Sequence, residues 1–379
     1  PIIYYTDRTP GNTTERGQEY GYERSPSAAY GTLKVHFGKG IDTWDKLVTE
    51  SRKVPHSSGL TMTVSDIQEL ARYPQTPEPL DLTSSTTEPA ILPAAVEARQ
   101  QADEAFRALL SQRLAQTPKK EVFIFVHGYH CEFEWPAFTI AQLWHYWGRE
   151  GVPIAYSWPA ASPGLLRGYQ YDRESSEYTI YHFKRFLQRV ASCPDVQKIN
   201  IISHSRGTDV CGSGLRELSL QMGGPLKARE ALKLGVVVFA AADIDVEVAS
   251  QRFAADQVLQ IPERTTLYVS AEDAALGLSD WLFASSRRLG MLRPQDLRGP
   301  IVKTLQRYPN VEVVDARVNL NKAFSHSYFL AHPSGSSDMI LLMRDKAHAG
   351  SPARPLERDP SGFWILKDDY LEPPQAASK

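Results

Sequence analysis

The string Ser203-His204-Ser205-Arg206-Gly207 ends an apolar run, Ile199 to Ile202, and precedes a stretch with helical character. A serine set between a strand and a helix, with small residues around it, fits a strand–nucleophile–helix turn of the x-x-Ser-x-Gly kind. The turn is tight, so its flanking positions must be small. Gly207 meets that need, and Ser203 meets it with a small side chain where glycine is commoner. Such a turn lifts the Ser205 hydroxyl out of the sheet at the N-terminus of the next helix. There the helix dipole and free backbone N–H groups favour a developing negative charge.

A serine hydroxyl is a weak nucleophile alone. It needs a base within hydrogen-bond reach, and the base needs an orienting carboxylate. On the matching scaffold the chain order is Ser, then acid, then His. Asp273 follows the run "TTLYVS", and His326, in "FSHSYF", follows "VEVVDAR". Order and strand-end position both match. Two alternatives stay open. Asp243 and Asp245 end the preceding strand and suit the acid, and His332 also follows the last strand and suits the base. Whichever acid is passed over is expected to be a helix N-cap or part of a loop salt bridge. His204 is expected to point away from the site and to pack under the turn.

Acyl transfer also needs donors for an oxyanion. The backbone N–H of Arg206, next after the serine, is one candidate. The loop "VHGYH" offers the other: Gly128 allows close backbone approach, and the N–H of Tyr129 is the expected donor. The base must be neutral to act, so activity should fall as acid protonates His326. No metal or organic cofactor is called for. His127 and His130 have no third ligand at a recognisable spacing. Cys131, Cys193 and Cys211 are too few and too scattered for a zinc site or a disulfide framework.

The elements that must hold these residues are legible as a pattern. "EVFIFVHG" (121–128), "PIAYSWP" (153–159), "KINIISHS", "LGVVVFAAADID" (234–245), "TTLYVSAED" (265–273) and "VEVVDAR" (311–317) are continuous apolar runs. Helical stretches such as 173–191 and 207–222 lie between them. Apolar strands alternating with helices predict a mostly parallel sheet covered on both faces. Its ligands belong at the carboxyl ends of the strands.

Around this core, residues 1–30 are rich in Gly, Tyr, Thr and charge and are expected to be an irregular N-terminal extension. The main domain is expected over 31–345, and a tail over 346–379 in which "GFWILKDDY" docks as a short segment. Leu33, Val35 and Phe37 alternate with polar residues as a half-buried strand does, and "LTMTVSDIQEL" (60–70) suits its antiparallel neighbour. Residues 74–90 read as a surface loop and 94–115 as a helix. The aromatic stretch 135–148 has Phe138, Leu143, Trp144 and Trp147 near helical spacing and reads as core. Residues 160–172 and 274–297 are candidate walls or a partial lid.

A chain of 379 residues with 42% hydrophobic residues and a net charge of −2 is ordinary for a globular protein and gives no sign of a nucleic-acid partner. No apolar run is long enough to span a bilayer. A small-molecule or lipid ester is the expected partner. Oligomeric state and compartment, cytoplasmic or exported, are left open.

Taken together, "IIYYTDR", "YGTLKVHFG", "VFIFVHGYHCEF", "PIAYSWPA", "YQYDRESSEYT", "SHSRGTDV", "AAADID", "TLYVSAEDAALGLS" and "SHSYF" resemble a bacterial α/β-hydrolase family long listed as a domain of unknown function and often titled esterase/lipase superfamily enzymes. The resemblance runs over roughly residues 2–330. It implies an α/β-hydrolase fold, Ser205 as nucleophile, Asp273 as acid, His326 as base, and hydrolysis of carboxylic esters. Arg206 is a departure, since the family more usually has Met there. A cation beside the nucleophile would suit a substrate with a negative group. Tyr171 and Asp172 belong to a motif of the set, and a structural hydrogen bond is the role expected of them. An amidase, thioesterase or phospholipase would use the same residues. A silent binding module on this fold is the rival from another class, and the complete Ser, Asp, His and His-Gly set argues against it.

Overall fold

The structure is a computed structural model, and it describes residues 1–38, 43–54, 61–81, 90–277, 288–293, 308–321 and 325–370. Eleven strands form one sheet. In chain order the strands are β1 (Ile2–Thr14), β2 (Gly17–Phe37), β3 (Met62–Arg72), a two-residue pair β4 (Leu80–Asp81) and β5 (Ala90–Ile91) that stands apart, β6 (Glu121–Val126), β7 (Val152–Ser157), β8 (Lys198–His204), β9 (Leu234–Ala240), β10 (Arg264–Val269), β11 (Val311–Arg317), β12 (Glu357–Arg358) and β13 (Trp364–Lys367). Across the sheet the order is β12-β13-β11-β10-β9-β8-β6-β7-β1-β2-β3. From β13 through β1 neighbouring strands run parallel; the antiparallel pairs of this sheet among the described residues lie at its two edges, β1–β2–β3 and β12–β13.

The central strands are apolar on both sides because both sides are covered. Along β6, Val122, Ile124 and Val126 point into one layer and Phe123 and Phe125 into the other. The first layer is closed by helices α2 (Pro93–Ala115), α4 (Leu165–Ser192) and α5 (Gly207–Met222), the second by α3 (Trp135–Tyr146) and the helix Pro333–Asp345; α1 (Trp44–Ser51) is a short outer helix. Leu143 and Trp147 of the aromatic stretch are fully buried, as the spacing predicts. The mostly parallel α/β sheet with helices on both faces is as the sequence pattern predicts, and so are the half-buried strand through Leu33 with its partner β3 and the helix α2.

Residues 1–30 are a correction. They are not irregular: β1 pairs parallel with β7 from Ile3 to Thr6, and β2 returns antiparallel alongside. Ile2, Ile3, Tyr4 and Tyr5 are all buried. At about 1.5–3 kcal/mol per buried side chain these four are worth roughly 6–12 kcal/mol, comparable to the whole stability of a domain. The strand therefore belongs to the core. Its composition misleads because the glycines and most of the Thr and charged residues lie in the exposed far half of the β1–β2 hairpin, while Thr6, Asp7 and Arg8 are buried polar residues of β1. At the other end, "GFWILKDDY" docks as β13 beside β11, so strands of the one sheet lie on both sides of positions 30 and 345. A buried ion network fixes that edge: Arg354 donates to both carboxylate oxygens of Asp338 at 2.8 Å and to Glu312 at 2.6 Å. Part of the candidate lid 274–297 and part of the loop 74–90 lie outside the described residues.

Candidate active site

Ser205 sits between β8 and α5, with φ of 53°. A serine in the left-handed region is strained, by about 1–3 kcal/mol, and persists only when its surroundings hold it there. They do. Its N–H donates to the Ala240 carbonyl at 3.0 Å, and its carbonyl accepts from the Thr208 N–H at 3.1 Å, the Thr208 hydroxyl at 2.6 Å and the Asp243 N–H at 3.3 Å.

The small residues around it have identifiable reasons. A Cβ on Gly207 would come within 2.2 Å of the His127 carbonyl oxygen, so only glycine fits. A Cβ on Gly128 would come within 2.6 Å of the Ser205 Cβ and 3.1 Å of its Oγ, which places the loop after β6 directly against the serine. Ser203, standing where glycine is commoner, is buried and donates its hydroxyl to the Val238 carbonyl at 2.9 Å.

Asp273 lies after β10, fully buried. Its Oδ1 accepts the N–H groups of Ala275 and Leu276 at 3.1 and 3.0 Å, which orients Oδ2 toward Nδ1 of His326 at 2.7 Å. His326 in turn packs against the residue before the serine. The ring centroids of His204 and His326 are 4.7 Å apart, and His204 Nε2 lies 3.0 Å from the His326 carbonyl oxygen. His204, expected to point away from the site, instead packs against His326 and braces its loop, with its ring between those of Trp135 and Phe329. Burial, with the neighbouring His326, pushes His204 down to about 3, so it stays neutral.

The competing residues have other partners. His332 accepts the Ser334 N–H at the start of the last helix and pairs with Asp368 at 3.0 Å. Asp245 caps the helix Val246–Ala249 through the N–H groups of Glu247 and Val248. Asp243 accepts the Tyr169 hydroxyl at 3.0 Å and sits 3.4 Å from Arg206 and 3.3 Å from Arg288. Burial pushes its carboxyl up, but the two guanidinium groups outweigh that and hold it below the usual range. Asp245 is thus a helix N-cap and Asp243 a member of a buried salt-bridge network.

Arg206 is buried, and its side chain turns away into that same network, donating to Asp209 at 3.2 Å and to the Tyr169 hydroxyl at 2.9 Å. Its charge faces two carboxylates, Asp209 and Asp243, which it shares with Arg252 and Arg288. Beside it opens a cavity of about 360 Å³ lined by Tyr169, Arg173, Glu177, Asp209, Ile244 and Arg252 among others. Tyr169 was not singled out in the sequence although it opens the "YQYD" string, one helical turn before Asp172, because a tyrosine there carries no signal of the partner it meets. His127 is buried between Trp158, on which it stacks at 4.8 Å, and the carbonyls of Gly128 and Trp158. Among the described residues no group of three or more His, Cys, Asp or Glu is arranged to hold a metal ion. No helix among them is long and apolar enough to cross a membrane.

A doubly covered, mostly parallel sheet with a strained serine at the strand–helix turn and an Asp–His pair at later strand ends defines an α/β-hydrolase fold. Residues 102–344 match the family described as alpha/beta hydrolase of unknown function (DUF900), and the chain belongs to that family. No protein of curated function matches the chain.

Proposed function

We propose that this protein is a serine hydrolase that cleaves carboxylic esters through an acyl-enzyme. The observation that supports this most is the Asp273–His326 pair at 2.7 Å, held against the elbow that presents Ser205. Ser205 Oγ attacks the ester carbonyl carbon while His326 takes the hydroxyl proton. The tetrahedral oxyanion is met by the N–H groups of Arg206, at the start of α5, and of Tyr129, in the loop that Gly128 brings against the serine. The intermediate collapses, the C–O bond breaks, and His326 delivers its proton to the leaving alcohol. Water, activated by the same histidine, then releases the acid and restores Ser205. Asp273 holds the imidazole tautomer and stabilises its charged form.

The test is hydrolysis of p-nitrophenyl esters by wild type and Ser205→Ala, with fluorophosphonate labelling of both. Turnover and labelling confined to the wild type are expected. A wild type that neither turns over nor takes up the label at Ser205 would leave a silent binding module as the better reading.

A further inference from the structure

Besides Ser205 itself and Ala241 after β9, two other non-glycine residues near the site adopt left-handed backbone, His130 with φ of 54° and Ala161 with φ of 75°. They belong to different loops, one after β6 and one after β7. Both point their N–H groups at the same atom, Oδ2 of Asp172, at 2.9 and 3.2 Å, and Oδ1 of the same carboxylate takes the Ser162 N–H at 3.4 Å. Asp172 itself is 1% exposed, on the second turn of α4. A conformation that ordinary residues avoid is therefore stabilised in two loops by one buried carboxylate.

The same loops are gripped from the other side by a buried cation. Arg8, at 1% exposure, donates from Nη2 to the Cys131 carbonyl at 2.7 Å, from Nη1 to the carbonyls of Ala160 and Gly21 at 3.0 and 3.1 Å, and from Nε to the Ser157 hydroxyl at 3.1 Å. The rigid guanidinium fork suits several acceptors at fixed angles, which a lysine cannot match. Burial pushes Arg8 down to about 10, so it remains charged at neutral pH. Tyr129 lies between the close approach of Gly128 to Ser205 on one side and both anchors on the other, the His130 N–H held by Asp172 and the Cys131 carbonyl held by Arg8.

We infer that Asp172 and Arg8 are positioning residues that fix the Gly128–Cys131 loop, and with it the Tyr129 N–H, over Ser205. The inference rests on the ester-hydrolase reading above. Neither side chain touches substrate. Each acts through backbone, and each joins the oxyanion loop to the loop after β7.

The experiment compares wild type, Asp172→Ala and the double variant Asp172→Ala/His130→Gly on a p-nitrophenyl ester. Active sites are counted by saturating fluorophosphonate, and affinity for an alkyl boronic acid, a mimic of the tetrahedral anion, is measured alongside. Loss of an oxyanion donor's placement is expected to lower kcat per labelled site by about 10²-fold, with KM nearly unchanged and boronate affinity falling in parallel. Glycine adopts the left-handed conformation without help, so His130→Gly should restore about tenfold of that loss. If Asp172→Ala does not fold, Asp172→Asn carries the test. It keeps one oxygen for the His130 and Ala161 N–H groups and should lose about tenfold. A folded Asp172 variant whose kcat per labelled site stays within about twofold of wild type overturns the inference, whatever its melting temperature. A wild type that neither hydrolyses nor labels overturns the hydrolase reading, and this inference with it.

Discussion

Asp273 Oδ2 and His326 Nδ1 lie 2.7 Å apart although 53 residues separate them in the chain. The aspartate's other oxygen is fixed by two N–H groups of the turn that follows it, so the carboxylate does not swing. Asp273→Asn keeps the shape but offers an amide in place of an acceptor to the ring N–H, favouring the wrong tautomer. The expected result is a fall in kcat of about 10⁴-fold with KM little changed. Steady-state kinetics on a p-nitrophenyl ester measures it, and a fall of less than about tenfold would mean that another group orients the base.

How much of this was legible follows from what each residue does. Ser205, Gly207 and Gly128 were visible because the turn and the close approach demand particular residue types at fixed offsets. Asp273 and His326 were visible only as candidates, because several polar residues end the same strands. What separates Asp273 from Asp243 and Asp245 is which side chains Arg206, Arg288 and a helix N-terminus engage, and no local pattern encodes that. Asp172 was expected to make a structural hydrogen bond, and it does, but its partners, like any role for Arg8, were opaque for another reason. They act through carbonyls and N–H groups of distant loops, which every residue carries. The first thirty residues read as irregular because their polar, glycine-rich half protrudes, while the buried run of β1, Ile2–Arg8, is only seven residues long and ends in Thr, Asp and Arg.

The approach of Gly128 to Ser205 sets a second expectation. A methyl group at 128 would stand 2.6 Å from the Ser205 Cβ, so either the loop or the elbow must move. Movement of the loop carries the Tyr129 N–H away, and movement of the elbow displaces the hydroxyl. Gly128→Ala should therefore lower kcat by about 10²-fold or more while the protein still folds. Fluorophosphonate labelling rates and a thermal melt, read together, check this. Wild-type labelling rates in a folded Gly128→Ala variant would show that the contact relaxes harmlessly.

The edge network around Arg354 predicts a stability effect far from the site. Arg354, Asp338 and Glu312 are buried, with the Tyr268 and Tyr370 hydroxyls on the same Asp338 carboxylate at 2.5 and 2.8 Å. Removing the cation leaves two carboxylates buried without it. Arg354→Met is expected to cost about 3–5 kcal/mol, measured by urea unfolding. Replacing the ions by a matched apolar set would cost far less, because a buried pair gains little net stability over good packing. A loss under about 1 kcal/mol for Arg354→Met would show that water reaches this network after unpairing.

Asp7 predicts a pH dependence of known sign. It is fully buried on β1, and burial pushes its carboxyl up to about 7, against the opposing pull of Thr179 and Arg8. The unfolded chain gives up this proton near the ordinary value of about 4. Between about pH 4 and 7 the folded state therefore binds more protons than the unfolded one, and stability falls as pH rises through that window. At about 1.4 kcal/mol per unit the fall is at most roughly 4 kcal/mol. Buried His204, at about 3, and His182, at about 4, act the other way. Their folded forms refuse a proton that the unfolded chain accepts, so stability is lost as pH falls from about 6.5. Those histidines are present in both proteins, so the difference between Asp7→Asn and wild type isolates the carboxyl. That difference should be small near pH 4 and should grow in the variant's favour up to about pH 7, then level off. Unfolding free energies of both proteins at pH 4.5, 6 and 8 test it, and a difference that stays constant with pH would show that Asp7 is ionised in the folded protein throughout.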